Sequence, residues 1–330
     1  MLQLQMWHIL SKGKRFVNVI AAGKFLPRLS GMVDTSIEIL DERAIALIDP
    51  KSSLTLLDSD SIHAEGPVYL PSDGSIVWSD VKSDCVFRWH EGRKHILREP
   101  AHFQNGNALD LEGRIVACSH GDRAIVRQET DGQWHVIVDR YLGKRLNSPN
   151  DLVVKSDGTI WFTDPPFGLT QPDEGCGGEQ EQSGSFVFRF DPSTGEIDAV
   201  ITDMERPNGL AFSPDESLLY VSDTSAVERA EMCHDIRSYD IVGGREATNM
   251  RIFAVVEPGQ PDGFCVDEQG NIFTSSQDSV QIYSPAGEQL AKILVPEICT
   301  NLTFGGGNLD CLFITTDTSL YTLQTKTRGA

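Results

Sequence analysis

Basic residues are scarce in this 330-residue chain: 28 Lys and Arg stand against 48 Asp and Glu, a net charge of −20. A nucleic-acid binder needs a basic footprint, and a protein that docks on anionic lipid needs a basic face, so the reading excludes both partners. No run approaches the roughly 18 apolar residues that span a bilayer. The seven cysteines are an odd, scattered set without a C-x-x-C spacing, which removes zinc-ribbon and thioredoxin-type sites. Several sit inside apolar runs and read as small buried hydrophobes, and reduced thiols fit a cytoplasmic protein. No G-x-S-x-G occurs, so a serine hydrolase would lack its nucleophile elbow. An uninterrupted apolar stretch is missing from the N-terminus, where Lys12, Lys14 and Arg15 intervene, and a secretion signal is rejected on that ground. Residues 1–40 read as an N-terminal extension, either a short amphipathic helix or an irregular segment.

What the chain does have is a 40% hydrophobic content, enough for a buried core, and a repeat. Each copy opens on a polar residue, runs through a short apolar strand, turns, and continues as a second strand. The copies open at Glu65, Asn105, Asn150, Asn208, Asp262 and Asn301, and their turns fall at Asp73-Gly74, Glu112-Gly113, Asp157-Gly158, Asp215-Glu216, Gln269-Gly270 and Asn308-Leu309. Periods of about 40 to 50 residues built from strands and turns indicate a β-propeller. Two further strands can be read in most copies, such as Val86 to Trp89 and His95 to Leu97 in the first. The expectation is an all-β fold, a single six-bladed β-propeller over residues 41–330. The last copy has only three strands before the chain ends, and an open ring would expose two sheet edges. A strand from Ala44 to Ile48 or from Leu54 to Leu57 is therefore expected to close it. The insertions Gly168 to Gly184 and Thr224 to His234 read as loops.

The first strand of a blade lines the central channel, so the residue that opens it points at the axis near one mouth. All six such residues carry side-chain oxygen, which suits a hard cation: Ca2+ takes roughly six to eight oxygen ligands, whereas zinc prefers His and Cys. Asn and Asp also favour the turns that start strands, an explanation that serves least well for Glu65. His120 and Asp164, at the ends of second strands, are expected to face the same mouth as substrate contacts, together with Asn105 and Asn150 on the ring.

Four segments resemble the senescence marker protein / gluconolactonase / luciferin-regenerating enzyme family: His63-Ala64-Glu65-Gly66-Pro67, Asn147-Ser148-Pro149-Asn150-Asp151-Leu152, Arg206-Pro207-Asn208-Gly209-Leu210 and Pro261-Asp262-Gly263. Thr163-Asp164-Pro165-Pro166-Phe167-Gly168 and Thr300-Asn301-Leu302-Thr303-Phe304-Gly305-Gly306 are similar to its gluconolactonase branch. The resemblance covers about residues 60 to 316. It implies metal-dependent hydrolysis of a small, sugar-derived lactone, with Glu65, Asn208 and Asp262 as metal ligands. Asn150 matches a residue near substrate and metal, and Asp262 also matches the acid/base residue. The cation implied is Ca2+, with Zn2+, Mg2+ and Mn2+ as alternatives. A non-catalytic binding propeller, or a relative of the same fold with another hydrolytic reaction, is the competing reading. The oligomeric state is left open.

Overall fold

Strands form where β-branched and aromatic residues run continuously, and they reverse where Asp can bond its own backbone two residues on. At two of the turns, Asp73 Oδ1 accepts from Ser75 N at 3.0 Å and Asp157 Oδ1 accepts from Thr159 N at 3.0 Å. Gly158 sits there at φ +86°, a conformation that costs glycine little. In the computed structural model, which describes residues 31–33, 35–227 and 232–330, these hairpins build six antiparallel sheets of four or five strands, beside a two-stranded ribbon of Arg140–Tyr141 and Lys144–Arg145. The short helix considered for the N-terminal segment falls mainly on residues 1–30, outside the described residues.

The innermost strands are Ala64–Leu70, Gln104–Leu109, Leu152–Val154, Pro207–Phe212, Phe264–Val266 and Cys299–Gly305. Each touches the next, and the sixth touches the first, so they close a ring around an axis. The fold is the expected six-bladed propeller. The sixth blade is closed by Leu54–Asp58, which pairs antiparallel with Leu320–Gln324 in the register Tyr321↔Leu56. The other candidate for that strand overlaps a 3-10 helix, Glu42–Ala46, capped by Asp41 Oδ1, which accepts from Arg43 N. Two further strands precede residue 41: Gly31–Val33 pairs with the closing strand, and Ile37–Ile39 with the outer strand of blade five. No helix among the described residues is long and apolar enough to cross a membrane.

The core lies between the blades. Successive side chains of a strand point to opposite faces, and here each face meets a neighbouring blade. Trp161 packs with Leu219 and Val221 of blade four, while Ile160 and Phe162 pack with Val116 and Ile125 of blade two. In the same way Ile272 faces Tyr220 of blade four and Phe273 faces Leu312 and Phe304 of blade six. Both faces of each middle strand are buried, which is why these segments read as unbroken apolar runs rather than alternating ones.

Candidate functional site

The six inner strands begin at the same end of the channel. There the side chains of Glu65, Asn105, Asn150, Asn208 and Asp262 line a cavity of about 120 Å³ with His63, Phe167, Gln171, Glu174, Thr224, Val227 and Gln260. The sixth ring residue, Asn301, is not among them. Its Nδ2 lies below, donating to Glu65 Oε2 at 3.1 Å and to Asp151 Oδ2 at 3.3 Å. A larger cavity of about 370 Å³ opens at the opposite end, lined by the residues that follow along the same strands. It contains none of the five axial side chains above.

Side-chain hydroxyls bonded to backbone carbonyls across the blades fix the axial residues. Ser79 Oγ donates to the Asn105 carbonyl at 2.7 Å, Thr163 Oγ1 to that of Asn208 at 2.8 Å, and Ser222 Oγ to that of Asp262 at 2.7 Å. Each hydroxyl comes from the second strand of the preceding blade, and each is followed by an aspartate. Those aspartates hold the segment leading into their own inner strand: Asp80 accepts from Ile62 N and His63 N at 3.0 and 2.9 Å, Asp164 from Asn147 N at 2.8 Å, and Asp223 from Glu205 N at 3.2 Å. Glycines after two axial residues allow the strands to crowd together. A Cβ on Gly209 would lie far inside contact distance of the Asp262 carbonyl, and one on Gly106 would stand 2.7 Å from that of Asn150.

Two substrate contacts expected from the sequence are not in the cavity. Asp164 is fully buried, with Oδ2 on Asn147 N and burial lifting its carboxyl to about 7. With Asp80 and Asp223 it belongs to an aspartate repeated in blades one, three and four. His120 is also buried and stands behind Asn105, its Nδ1 2.8 Å from the Glu174 carbonyl and its Nε2 3.5 Å from Asn105 Nδ2. Asn105, Asn150, Asn208, Glu65 and Asp262 are brought together as expected. Gln171 and Glu174 were missed because they sit on the inserted loop. The usable signal was topological: a connection between the second and third strands of a blade lies at the mouth where the inner strand begins.

The cavity is electrostatically unbalanced. Burial raises Glu65 well above the ordinary carboxylate range, and the nearby Asp262 charge adds to it. Asp262 is raised by burial and then by Asp151 and Glu174, against a hydrogen bond from Asn208. Burial likewise lifts Asp151 to about 7. No Lys or Arg is among the lining residues. Asn105 Oδ1 is buried without a partner, and buried acceptors are seldom left so. Apart from the His63 imidazole, the polar side chains of the cavity offer oxygen, which suits a hard cation. Among the described residues no three His, Cys, Asp or Glu converge to hold a metal by themselves. A cation here therefore needs the amide oxygens of Asn208 and Asn150 beside the two carboxylates.

Residues 63–318 match the family model described as SMP-30/Gluconolactonase/LRE-like region. The chain is 32% identical over 321 residues to a gluconolactonase of Zymomonas mobilis, covering 91% of this chain and 89% of that protein. It is 28% identical to a pentonolactonase of Haloferax volcanii over 79% of this chain and 84% of that one. Among solved structures, a gluconolactonase of Xanthomonas campestris superposes with a TM-score of 0.85 at 38% identity, covering 91% of this chain and 98% of the other.

Proposed function

Since the chain belongs to the SMP-30/gluconolactonase/LRE-like family, we propose that it is a cation-dependent lactonase that opens a small, sugar-derived lactone in the cavity at the Glu65 end of the channel. The observation that carries this reading is the buried Glu65–Asp262 pair in a cavity whose lining is rich in side-chain oxygen and holds no Lys or Arg. Glu65, Asn208 and Asp262 would hold the cation, with Asn150 beside them, and Ca2+ suits that donor set best. When bound, a divalent cation supplies Lewis acidity toward a lactone carbonyl and the positive charge that two buried carboxylates require.

The chain's own groups account for the proton chemistry. Asp262 takes the proton of the attacking water and returns it to the departing ring alkoxide, as a general base and then a general acid. Without a cation its carboxyl is lifted by burial and then by Asp151, and a bound cation would oppose that shift and keep the carboxylate ionised as a base. Asn208 orients it by donating a hydrogen bond, and Ser275 Oγ accepts from Asp262 N at 2.8 Å, holding the backbone. Asn105 and Asn150 face the substrate. None of the seven cysteines is disulfide-bonded, which suits the reducing cytoplasm.

The test is a lactone panel run on protein stripped by a chelator and then reloaded in turn with Ca2+, Zn2+, Mg2+ and Mn2+. Ring opening should disappear on stripping and return with the preferred ion. Full activity of the stripped protein would remove the cation from the reaction. A loaded protein that opens no lactone would leave a binding propeller instead.

A further inference from the structure

Glu174 is a loop residue held more firmly than its surroundings require. It lies on the insertion between the second and third strands of blade three, and its side chain is only 17% exposed. Its backbone N–H donates to the Gln171 carbonyl at 3.3 Å, and its own carbonyl accepts from His120 Nδ1 at 2.8 Å. The loop crosses itself just beyond: Gly177 N donates to the Gly168 carbonyl at 3.1 Å, and no side chain fits at Gly175. Glu174 Oε1 lies 3.3 Å from Lys82 Nζ of blade one, and no hydrogen bond among the described residues engages Oε2. A long surface loop gains little from so many ties unless its position matters.

The ties reach the cavity wall. A carbonyl only accepts, so His120 Nδ1 carries the proton toward Glu174, and burial favours the neutral imidazole. The lone pair on Nε2 then faces Asn105, which turns its Nδ2 toward the ring and its Oδ1, unpartnered and buried, away from it. Glu174 and Asn105 both line the cavity. Both offer acceptors, and both therefore call for a ligand rich in donors. A lactone ring bearing hydroxyl groups has such donors; an unsubstituted one has none.

Resting on the lactonase reading above, we propose that Glu174 is the specificity-determining residue of this site. Its carboxylate accepts hydrogen bonds from ring hydroxyls, so that polyhydroxylated lactones are taken in preference to unsubstituted ones. The test compares glucono-δ-lactone with δ-valerolactone, the same ring without hydroxyls, in cation-loaded wild type and Glu174→Gln after subtraction of spontaneous hydrolysis. The substitution is isosteric, and the His120 contact is to the backbone, so the loop keeps its anchor. The ratio of kcat/KM for the hydroxylated over the bare lactone should fall about 10- to 100-fold, the size of a hydrogen bond to a charged group, mainly through KM. Glu174→Asp, which withdraws the carboxylate by one methylene, should lower the same ratio. If both lactones lose activity in proportion, Glu174 only anchors the loop and the proposal is overturned; it is equally overturned if the ratio stays within about twofold of wild type. Failure of the wild type to open any lactone would instead remove the reading on which it rests.

Discussion

Two buried carboxylates facing one small cavity define this site, and they are separable by substitution. Glu65→Gln removes a charge while keeping the shape and the contact from Gly66 N at 2.8 Å. Changes one shell away from a metal already cost about 10- to 100-fold in affinity, so titration calorimetry with Ca2+ should register at least that loss. Asp262→Asn keeps an oxygen but loses the basic site. With cation occupancy held equal by direct metal analysis, turnover should fall about 10²- to 10⁴-fold, the usual contribution of a general base. If Asp262→Asn binds the cation normally and turns over at the wild-type rate, another group moves the proton.

At the scale of the strand and hairpin, polar side chains hold the cavity in shape from outside it. Ser222 Oγ donates to the Asp262 carbonyl at 2.7 Å, and its own residue is fully buried. Ser222→Ala should cost about 1–2 kcal/mol in denaturant unfolding, the penalty of a lost buried hydrogen bond, and should lower kcat by loosening Asp262. Glu297 does similar work before the inner strand of blade six. It accepts from Thr316 Oγ1 at 2.8 Å, Thr318 N at 3.0 Å, Ser319 Oγ at 2.7 Å and the Tyr321 hydroxyl at 2.9 Å. Burial works to raise this carboxyl, but the hydrogen bonds from Ser319, Thr318 and Thr316 outweigh it and hold it below the ordinary value. A depressed acid stabilises the fold above its unfolded pKa and ceases to do so as pH falls through the folded one. Stability measured in pH steps from about 5 to 3 should therefore decline less steeply in Glu297→Gln than in wild type. Parallel curves would show that Glu297 carries no linkage.

The whole ring depends on joining distant parts of the chain. The closing strand Leu54–Asp58 caps the outer edge of Leu320–Gln324, and Asp58 Oδ2 receives Lys94 Nζ of blade one at 2.6 Å. The C-terminal residues tie blade six to blade five: Thr327 Oγ1 donates to Asp267 Oδ2 at 2.8 Å and Ala330 N to the Val266 carbonyl at 3.1 Å. A chain begun at Asp60 would leave the Leu320–Gln324 edge unpaired and Leu54 absent from the core between blades five and six. It should lose cooperative unfolding and aggregate, because unpaired edges template association. A chain begun at Gly31 should unfold in one transition, and calorimetry with light scattering separates the two outcomes.

Local chemistry made much of this legible in the order of residues. Asp-Gly turns and two-sided apolar runs act over a few positions, so the blades, their number and the need for a closing strand could be read from the chain. The axial residues were legible for the same reason, since Glu65, Asn105, Asn150, Asn208 and Asp262 each open an inner strand. Which side chains share a cavity is another matter, because it depends on how strands from different blades stagger around the axis. Asn301 holds the same place in the repeat yet sits beneath the cavity, bridging Glu65 and Asp151. Asp164 and His120 stand near the mouth in the chain but turn toward backbone groups of Asn147 and Glu174. Glu174 enters only because a loop without strand grammar folds back over the axis and is anchored there by partners more than fifty residues away in sequence. Spacing along the chain carries the register of a blade; only packing between blades decides what faces the substrate.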